Sequence, residues 1–253
     1  MAFPERAIIF AAGKGSRLGP YTGELPKTLL TVGNLTIFDR IIANLDRMGV
    51  NDIVVVTGHG GFRLQQHAIS QSSKIARNKL QFEFIVNNDL DIGNIYSFWL
   101  ARSKMLKDFL LFNSDVVFDH RILDLLRNDD NRSTLVIDDS KALGKEEMKV
   151  KIEKGGVIKE ITKYCDPSIA DGEYIGIMKV SDEVAKKVTS KIEQLLSQHQ
   201  RPLYYEDAFR LVAKEQDCLF ACSTKGLPWA EIDTIDDINY ARSIIVPHIE
   251  NLI

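Results

Sequence analysis

The chain has 253 residues, with 32 lysines and arginines against 35 aspartates and glutamates, for a formal net charge of −3. That balance gives no electrostatic footing for nucleic acid. No apolar run approaches the roughly 18 residues of a membrane span, and Glu5 and Arg6 precede the first apolar strand where a signal peptide would carry its core, so a cytoplasmic protein without membrane insertion is expected.

Three cysteines, Cys165, Cys218 and Cys222, cannot all pair within one chain and read as reduced thiols beside strands. The length suits one α/β domain over 1–253.

The first element is the uncharged run Ala7 to Ala12, a strand buried on both faces as in a parallel sheet. It opens into Gly13, Lys14, Gly15, Ser16 and Arg17, and Lys27 follows directly after Pro26. Glycines let a ligand approach backbone amides, successive N–H groups cradle phosphate oxygens, and cations neutralise them. The stretch reads as a triphosphate grip. A dinucleotide fingerprint is excluded, because Gly19 arrives one residue late and no carboxylate ends the next strand. A P-loop is excluded because no window supplies its spacing.

Thr36 to Met48 has helical periodicity stopped by Gly49, and Asp52 to Thr57 is a second buried strand. It ends at Gly58 and His59, where open α/β sheets place ligands. A helix over Phe62 to Ser70 and a strand over Phe82 to Val86 follow. The loop from Asn87 to Gly93 then leads to Asn94, the expected N-cap of a helix from Ile95 to about Leu106. Phe109 to Asn113 is a short strand with Asp115 at its C-terminal end, facing the same crevice.

His120 to Arg127 reads as a helix and Ser133 to Asp138 as a strand. Met148 to Glu153 and Val157 to Thr162 alternate about Lys154-Gly155-Gly156, which predicts a β-hairpin. Alternation puts Lys149 and Lys151 on one face. Gly172 to Val180 is a further strand, with Gly176 placed for close approach of a substrate. Ser181 caps an amphipathic helix. Tyr204, Tyr205, Glu206 and Asp207 open another, either as a box for a cationic amine or as a wedge against the sheet. Near the end, Glu231 and Asp233 alternate on a strand and share a face, while Thr234 and Asp237 form a capping pair for a helix from Ile235 to Ile245.

The first loop, AAGKGSRL followed by Pro26-Lys27, resembles the signature loop of the sugar-phosphate nucleotidyltransferases and their cytidylyltransferase relatives. NSDVVF, NIYSFWLA and WAEIDTIDDINYA are similar to segments of the bacterial CTP:phosphocholine cytidylyltransferase group, which includes enzymes for other phosphorylated alcohols, amino compounds and inositol phosphates. The resemblance implies a three-layer α/β/α Rossmann-like (GT-A-like) nucleotidyltransferase fold with a mixed, mainly parallel sheet and a β-hairpin insertion. It implies transfer of CMP from CTP to a small phosphorylated or phosphonate acceptor, releasing pyrophosphate. Partners would be the nucleotide and that acceptor, with the protein a monomer or homodimer.

Catalytic roles are then expected for Arg17, Lys27 and Lys163. Lys163 lies where the sugar enzymes carry Glu-Lys-Pro, although the Glu and Pro are absent here. Nucleotide contacts are expected from Ala11, Ala12, Gly13, Lys14, Gly15, Ser16, Arg17, Lys27, Gly58, Asn88, Asn94, Ser97 and Asp115. Asp115, Glu231 and Asp233 are assigned to Mg²⁺, a hard cation suited to oxygen ligands and phosphates. The acceptor is expected to meet Lys149, Lys151, Gly176, Tyr205 and Asp207. The lysine-rich hairpin argues for an acceptor with extra oxygens or a carboxylate. A hexose-1-phosphate uridylyl- or thymidylyltransferase, or a non-catalytic nucleotide sensor, are the alternatives.

Overall fold

The computed structural model describes residues 2–13, 15–23, 25–198 and 202–250. In chain order the elements are β1 (Arg6–Ala11), β2 (Thr31–Val32), β3 (Leu35–Thr36), α1 (Ile37–Arg47), β4 (Asp52–Thr57), α2 (Gly61–Ile75), β5 (Gln81–Val86), α3 (Ile95–Ala101), β6 (Phe109–Asn113), β7 (Val116–Phe118), α4 (Arg121–Arg127), β8 (Thr134–Asp138), β9 (Lys149–Glu153), β10 (Val157–Thr162), β11 (Gly172–Val180), α5 (Asp182–Gln198), α6 (Tyr205–Glu215), β12 (Phe220–Ser223), β13 (Trp229–Glu231), α7 (Ile235–Tyr240) and α8 (Val246–Glu250). A π-helical turn, Ala241–Ile245, joins α7 to α8.

Nine strands form one sheet in the order β5-β4-β1-β6-β11-β8-β12-β10-β9. Strands β5, β4, β1, β6, β8, β12 and β9 run one way, and β11 and β10 run against them. The sheet is therefore mixed and mainly parallel in direction, with the β9–β10 hairpin at one edge. Alternation along β1 divides the interior. Ala7, Ile9 and Ala11 face a core with Phe38 and Ile41 of α1, Ile122 of α4 and Ile245. Ile8 and Phe10 face a second core with Phe98 of α3, Val188 of α5 and Phe209 of α6. A sheet apolar on both faces must be covered twice, which makes three layers.

Helix ends follow their local chemistry. Thr36 and Asp39 form a capping box on α1, and Thr234 and Asp237 form one on α7. The Ser181 hydroxyl accepts from Val184 N–H at the start of α5. Asn94 behaves differently from expectation. Its Oδ1 accepts from the Tyr205 N–H at 2.8 Å, capping α6 across space instead of its own helix. α3 is also shorter than its periodicity suggested, ending in a 3₁₀ turn, Arg102–Lys104. α2 runs on to Ile75, and the short strands β2, β3, β7 and β12 had no clear signal in the sequence. All three cysteines are free, and Cys222 lies in β12. Among the described residues no helix is long and apolar enough to cross a membrane.

Segments far apart in sequence meet at the cavity wall. Ile95 N–H donates to Leu203 O, and Leu203 N–H donates to Ile92 O. Gly93 sits in that seam with φ 102°, where an added Cβ would stand 2.1 Å from Leu203 O. Gly93→Ala is expected to destabilise the protein by more than about 1 kcal/mol, since both the left-handed backbone and the close approach exclude a methyl. Urea unfolding tests this; an unchanged midpoint would show that the seam gives way freely.

Candidate active site

The strands β1, β4 and β6 end on the same side, and the chain beyond their carboxyl ends encloses a cavity of about 450 Å³. Its lining includes Ala11, Ala12, Gly13, Gly15, Ser16 and Arg17 from the first loop, then Lys27, Asn94, Ser97, Asp115, Lys163, Gly176, Glu231 and Asp233. These groups come from segments far apart in sequence, from Ala11 to Asp233, and the sheet brings them together. An adjoining cleft of about 510 Å³ shares Arg17, Lys163, Glu231 and Asp233 with it. Lys14 lies outside the described residues.

Lys27 is the hub. Its ammonium donates to Asp115 Oδ2 at 2.8 Å and also to Asp233 Oδ1. The Arg17 guanidinium donates to the other oxygen of Asp233 at 2.5 Å. Burial alone would push the Lys27 ammonium down, but Asp115 and Asp233 outweigh it and hold the pKa above its ordinary value. Burial works the other way on Asp233, and Lys27 and Arg17 reverse it, so this carboxyl stays below the usual range.

Asp115, Glu231 and Asp233 each offer a carboxylate oxygen within 4.8 Å of the others. β13 ends at Glu231, and Asp233 lies just beyond it, its N–H bonded to Asp237. Asp115 Oδ1 is buried without a hydrogen-bond partner. Three converging oxygen donors, one of them unsatisfied, fit a hard divalent cation. Glu231 is crowded by protein on one side and exposed on the other. Burial of the crowded side, with Asp115 and Asp233 beside it, pushes its carboxyl up to about 8.

Lys163 also lines the cavity, its ammonium 4.9 Å from the centre of the Tyr204 ring. Gly176 adopts φ 83° at a bulge in β11, and an added Cβ would fall 2.8 Å from the Asn113 side chain. Its missing side chain makes room for Asn113 as well as for the cavity.

Other expected contacts lie elsewhere. Lys149 is fully buried, and its ammonium donates to the carbonyls of Gly144, Lys145 and Glu147, so it holds the loop before β9. Lys151 pairs with Glu160 at 3.5 Å and is off the cavity wall. Tyr205 is fully buried and donates its hydroxyl proton to Asn113 Oδ1 at 2.9 Å, a core role. Asp207 accepts from the Tyr204 N–H and caps α6. Asn88 is exposed, and its neighbour Asn87 lines the cavity, bonded to Ser97. At Gly58 an added Cβ would lie 2.6 Å from Ala12 O, so this glycine lets β4 pass the first loop and does not line the cavity. His59 stands 3.0 Å from Gly23 O, also off the wall.

Sequence reasoning missed Thr28, Asn113, Glu146, Glu173 and Tyr174, which line the cavity, as do Asn87 and Glu206, which it placed in segments near the substrate without assigning them a contact. Several are immediate neighbours of expected residues, one position out of phase.

The nucleotidyl transferase family profile matches residues 6–145. The chain belongs to that family. It is 27% identical over 255 aligned positions to the "CTP:phosphoglutamine cytidylyltransferase" of Campylobacter jejuni, covering 92% of this chain and 97% of that one. It is 32% identical over 126 positions to the "CMP-5'-(3-aminopropyl)phosphonate synthase" of Streptomyces rubellomurinus, covering 49% of this chain and 19% of that one. The solved inositol-1-phosphate CTP transferase of T. maritima superposes with a TM-score of 0.78 at 20% identity, over 96% of this chain and 98% of that one, a likeness of fold. Several curated relatives are longer, and the chain spans only 19–52% of their length. Other matches carry uridylyl- and thymidylyltransferase names.

The raised Glu231 carboxyl has a sign that can be checked. Its folded pKa lies above its unfolded value of 4.5, so the folded state binds the extra proton between there and about 8. Stability of the metal-free protein should therefore fall as pH rises through that window. Glu231→Gln should flatten part of the decline, measured as thermal midpoint against pH. Parallel curves for the two proteins would remove the strain assigned to this carboxylate.

Proposed function

We propose that this chain transfers CMP from CTP to a small phosphorylated or phosphonate acceptor and releases pyrophosphate. The observation that carries the reading is Lys27, held between Asp115 and Asp233 where the glycine loop meets the far wall. A curated relative covered over 97% of its length is named for CTP, which supports cytidine over other nucleotides. Relatives named for uridylyl transfer favour UTP as the second reading.

The step is an in-line displacement. An acceptor phosphoryl oxygen attacks the α-phosphorus of CTP, a P–O bond forms, and the bond to the β-phosphate oxygen breaks. Pyrophosphate departs with that electron pair. The attacking oxygen is already anionic, so no nucleophilic side chain or base is needed, and positioning with charge neutralisation supplies the catalysis. Amides of Gly13, Gly15, Ser16 and Arg17 face the triphosphate, and Arg17 exchanges Asp233 for the leaving pyrophosphate. Lys27 faces the α-phosphate, and Lys163 the acceptor phosphoryl group. Asp115, Glu231 and Asp233 would hold Mg²⁺, which when bound supplies charge neutralisation for the phosphates. Removing Lys27 takes away a preorganised cation at the reacting phosphate.

Lys27→Ala is expected to lower kcat by on the order of 10²–10³, the loss typical of one preorganised electrostatic donor. Coupled pyrophosphate release with CTP, UTP and dTTP, with and without Mg²⁺, is the assay. Near-normal turnover by a folded Lys27→Ala protein would remove Lys27 from the reaction. Turnover with UTP or dTTP and a sugar phosphate would move the protein to the second reading. Undiminished turnover in chelator would remove the metal assignment.

A further inference from the structure

Besides the carboxylate triad, the cavity lining includes three more carboxylates, Glu146, Glu173 and Glu206. Glu206 lies in the first turn of α6, is 3% exposed, and its Oε2 has no hydrogen-bond partner. Burial pushes its carboxyl up to about 7, against its own backbone N–H, the Tyr205 side chain and the charge of Lys163, so the open position is at Oε2. Tyr174 and Tyr205 share a hydrogen bond at 3.1 Å, and Tyr205 donates onward to Asn113. Lys141 pairs with Glu173 at 2.6 Å. Of the cavity's described cations, Arg17 and Lys27 are engaged by the triad, and Lys163 lies over Tyr204.

We infer that the acceptor carries a primary ammonium group, received by Glu206, while Lys163 faces its phosphoryl end. The inference rests on the transferase reading above and names its acceptor class. A buried carboxylate oxygen without a partner can only accept, and an ammonium can only donate. A charged pair also answers the cost of leaving a carboxylate buried alone. A polyol would call for a wall that both donates and accepts, and the hydroxyls here are spent on each other. A quaternary ammonium donates nothing and calls for several aromatic faces. Tyr204 offers its face, but Lys163 already covers it. The hairpin lysines, which had suggested an anionic acceptor, are removed from the question by the burial of Lys149 and the pairing of Lys151 with Glu160.

The test is pyrophosphate release with Mg²⁺ and CTP, UTP or dTTP across matched acceptors. These are 2-aminoethyl phosphate, 3-aminopropylphosphonate, 2-hydroxyethyl phosphate, 2-(trimethylammonio)ethyl phosphate and myo-inositol 1-phosphate. A primary amine should exceed the hydroxyl isostere in kcat/KM by about 100-fold, as expected where a buried polar group is left unpaired by the analogue. Glu206→Gln should bring that ratio to within about tenfold, chiefly through the KM of the amine. Circular dichroism checks its folding, and if the variant does not fold, the wild-type ratio alone decides. Equal or better use of the hydroxyl, quaternary or inositol acceptor overturns the inference, as does a folded Glu206→Gln protein with an unchanged ratio. Amine preference with UTP in place of CTP would leave this inference standing and overturn the nucleotide assignment. Silence with every nucleotide overturns both.

Discussion

The salt bridge from Lys27 to Asp115 and Asp233 is the constraint around which the site is arranged. It links the end of the first loop to the end of β6, 88 residues later, and to the chain just after β13, 206 residues later. A largely buried ammonium is costly alone, and so are crowded carboxylates, so each requires the other. The arrangement keeps a cation and two oxygen donors ready at one place before any ligand arrives. On the proposed reading, phosphate oxygens would compete with the carboxylates for Lys27 and Arg17, and a divalent cation would compete with Lys27 for the carboxylates.

The sheet makes that convergence possible. Parallel neighbours β4, β1 and β6 deliver their carboxyl ends to one side, where the backbone must leave the ladder and its polar groups turn to ligand. Antiparallel β11 then brings its bulge at Gly176 against the end of β6. The antiparallel pair β13–β7 places Glu231 beside Val116, and hence near Asp115. The opposite wall depends on α6, which is held to the 90–95 segment through Asn94 and Leu203. On the proposed reading, the nucleotide and acceptor ends would be built from different parts of the chain. Variation in α6 and the 140–150 segment would alter the acceptor wall without touching the loop that grips the triphosphate.

Three of the misplaced expectations share one cause. On a strand, a shift of one residue reverses the face, so Met148 lines the cavity while Lys149 enters the interior. Asn87 turns in and Asn88 turns out at the end of β5. In the first turn of α6, Tyr204 and Glu206 face the cavity, while Tyr205 and Asp207 serve the core and the cap. Residue type pointed to the right segments in each case. Which neighbour reached the cavity depended on a packing phase that polar composition does not encode.

Local chemistry in the sequence determined a good deal by itself. Buried β-branched runs set β1, β4 and β11, the glycine-rich turn set the hairpin, and the Thr234–Asp237 pair set the start of α7, because each depends on neighbours a few residues away. The loop from Gly13 to Arg17 with Lys27 was legible for the same reason. Tertiary structure alone decided that Asn94 caps a distant helix and that Glu206 places an oxygen without a hydrogen-bond partner in the cavity wall. Those outcomes follow from contacts between segments tens to more than a hundred residues apart. Their energies depend on burial and on which partners arrive, and neither exists until the chain has folded.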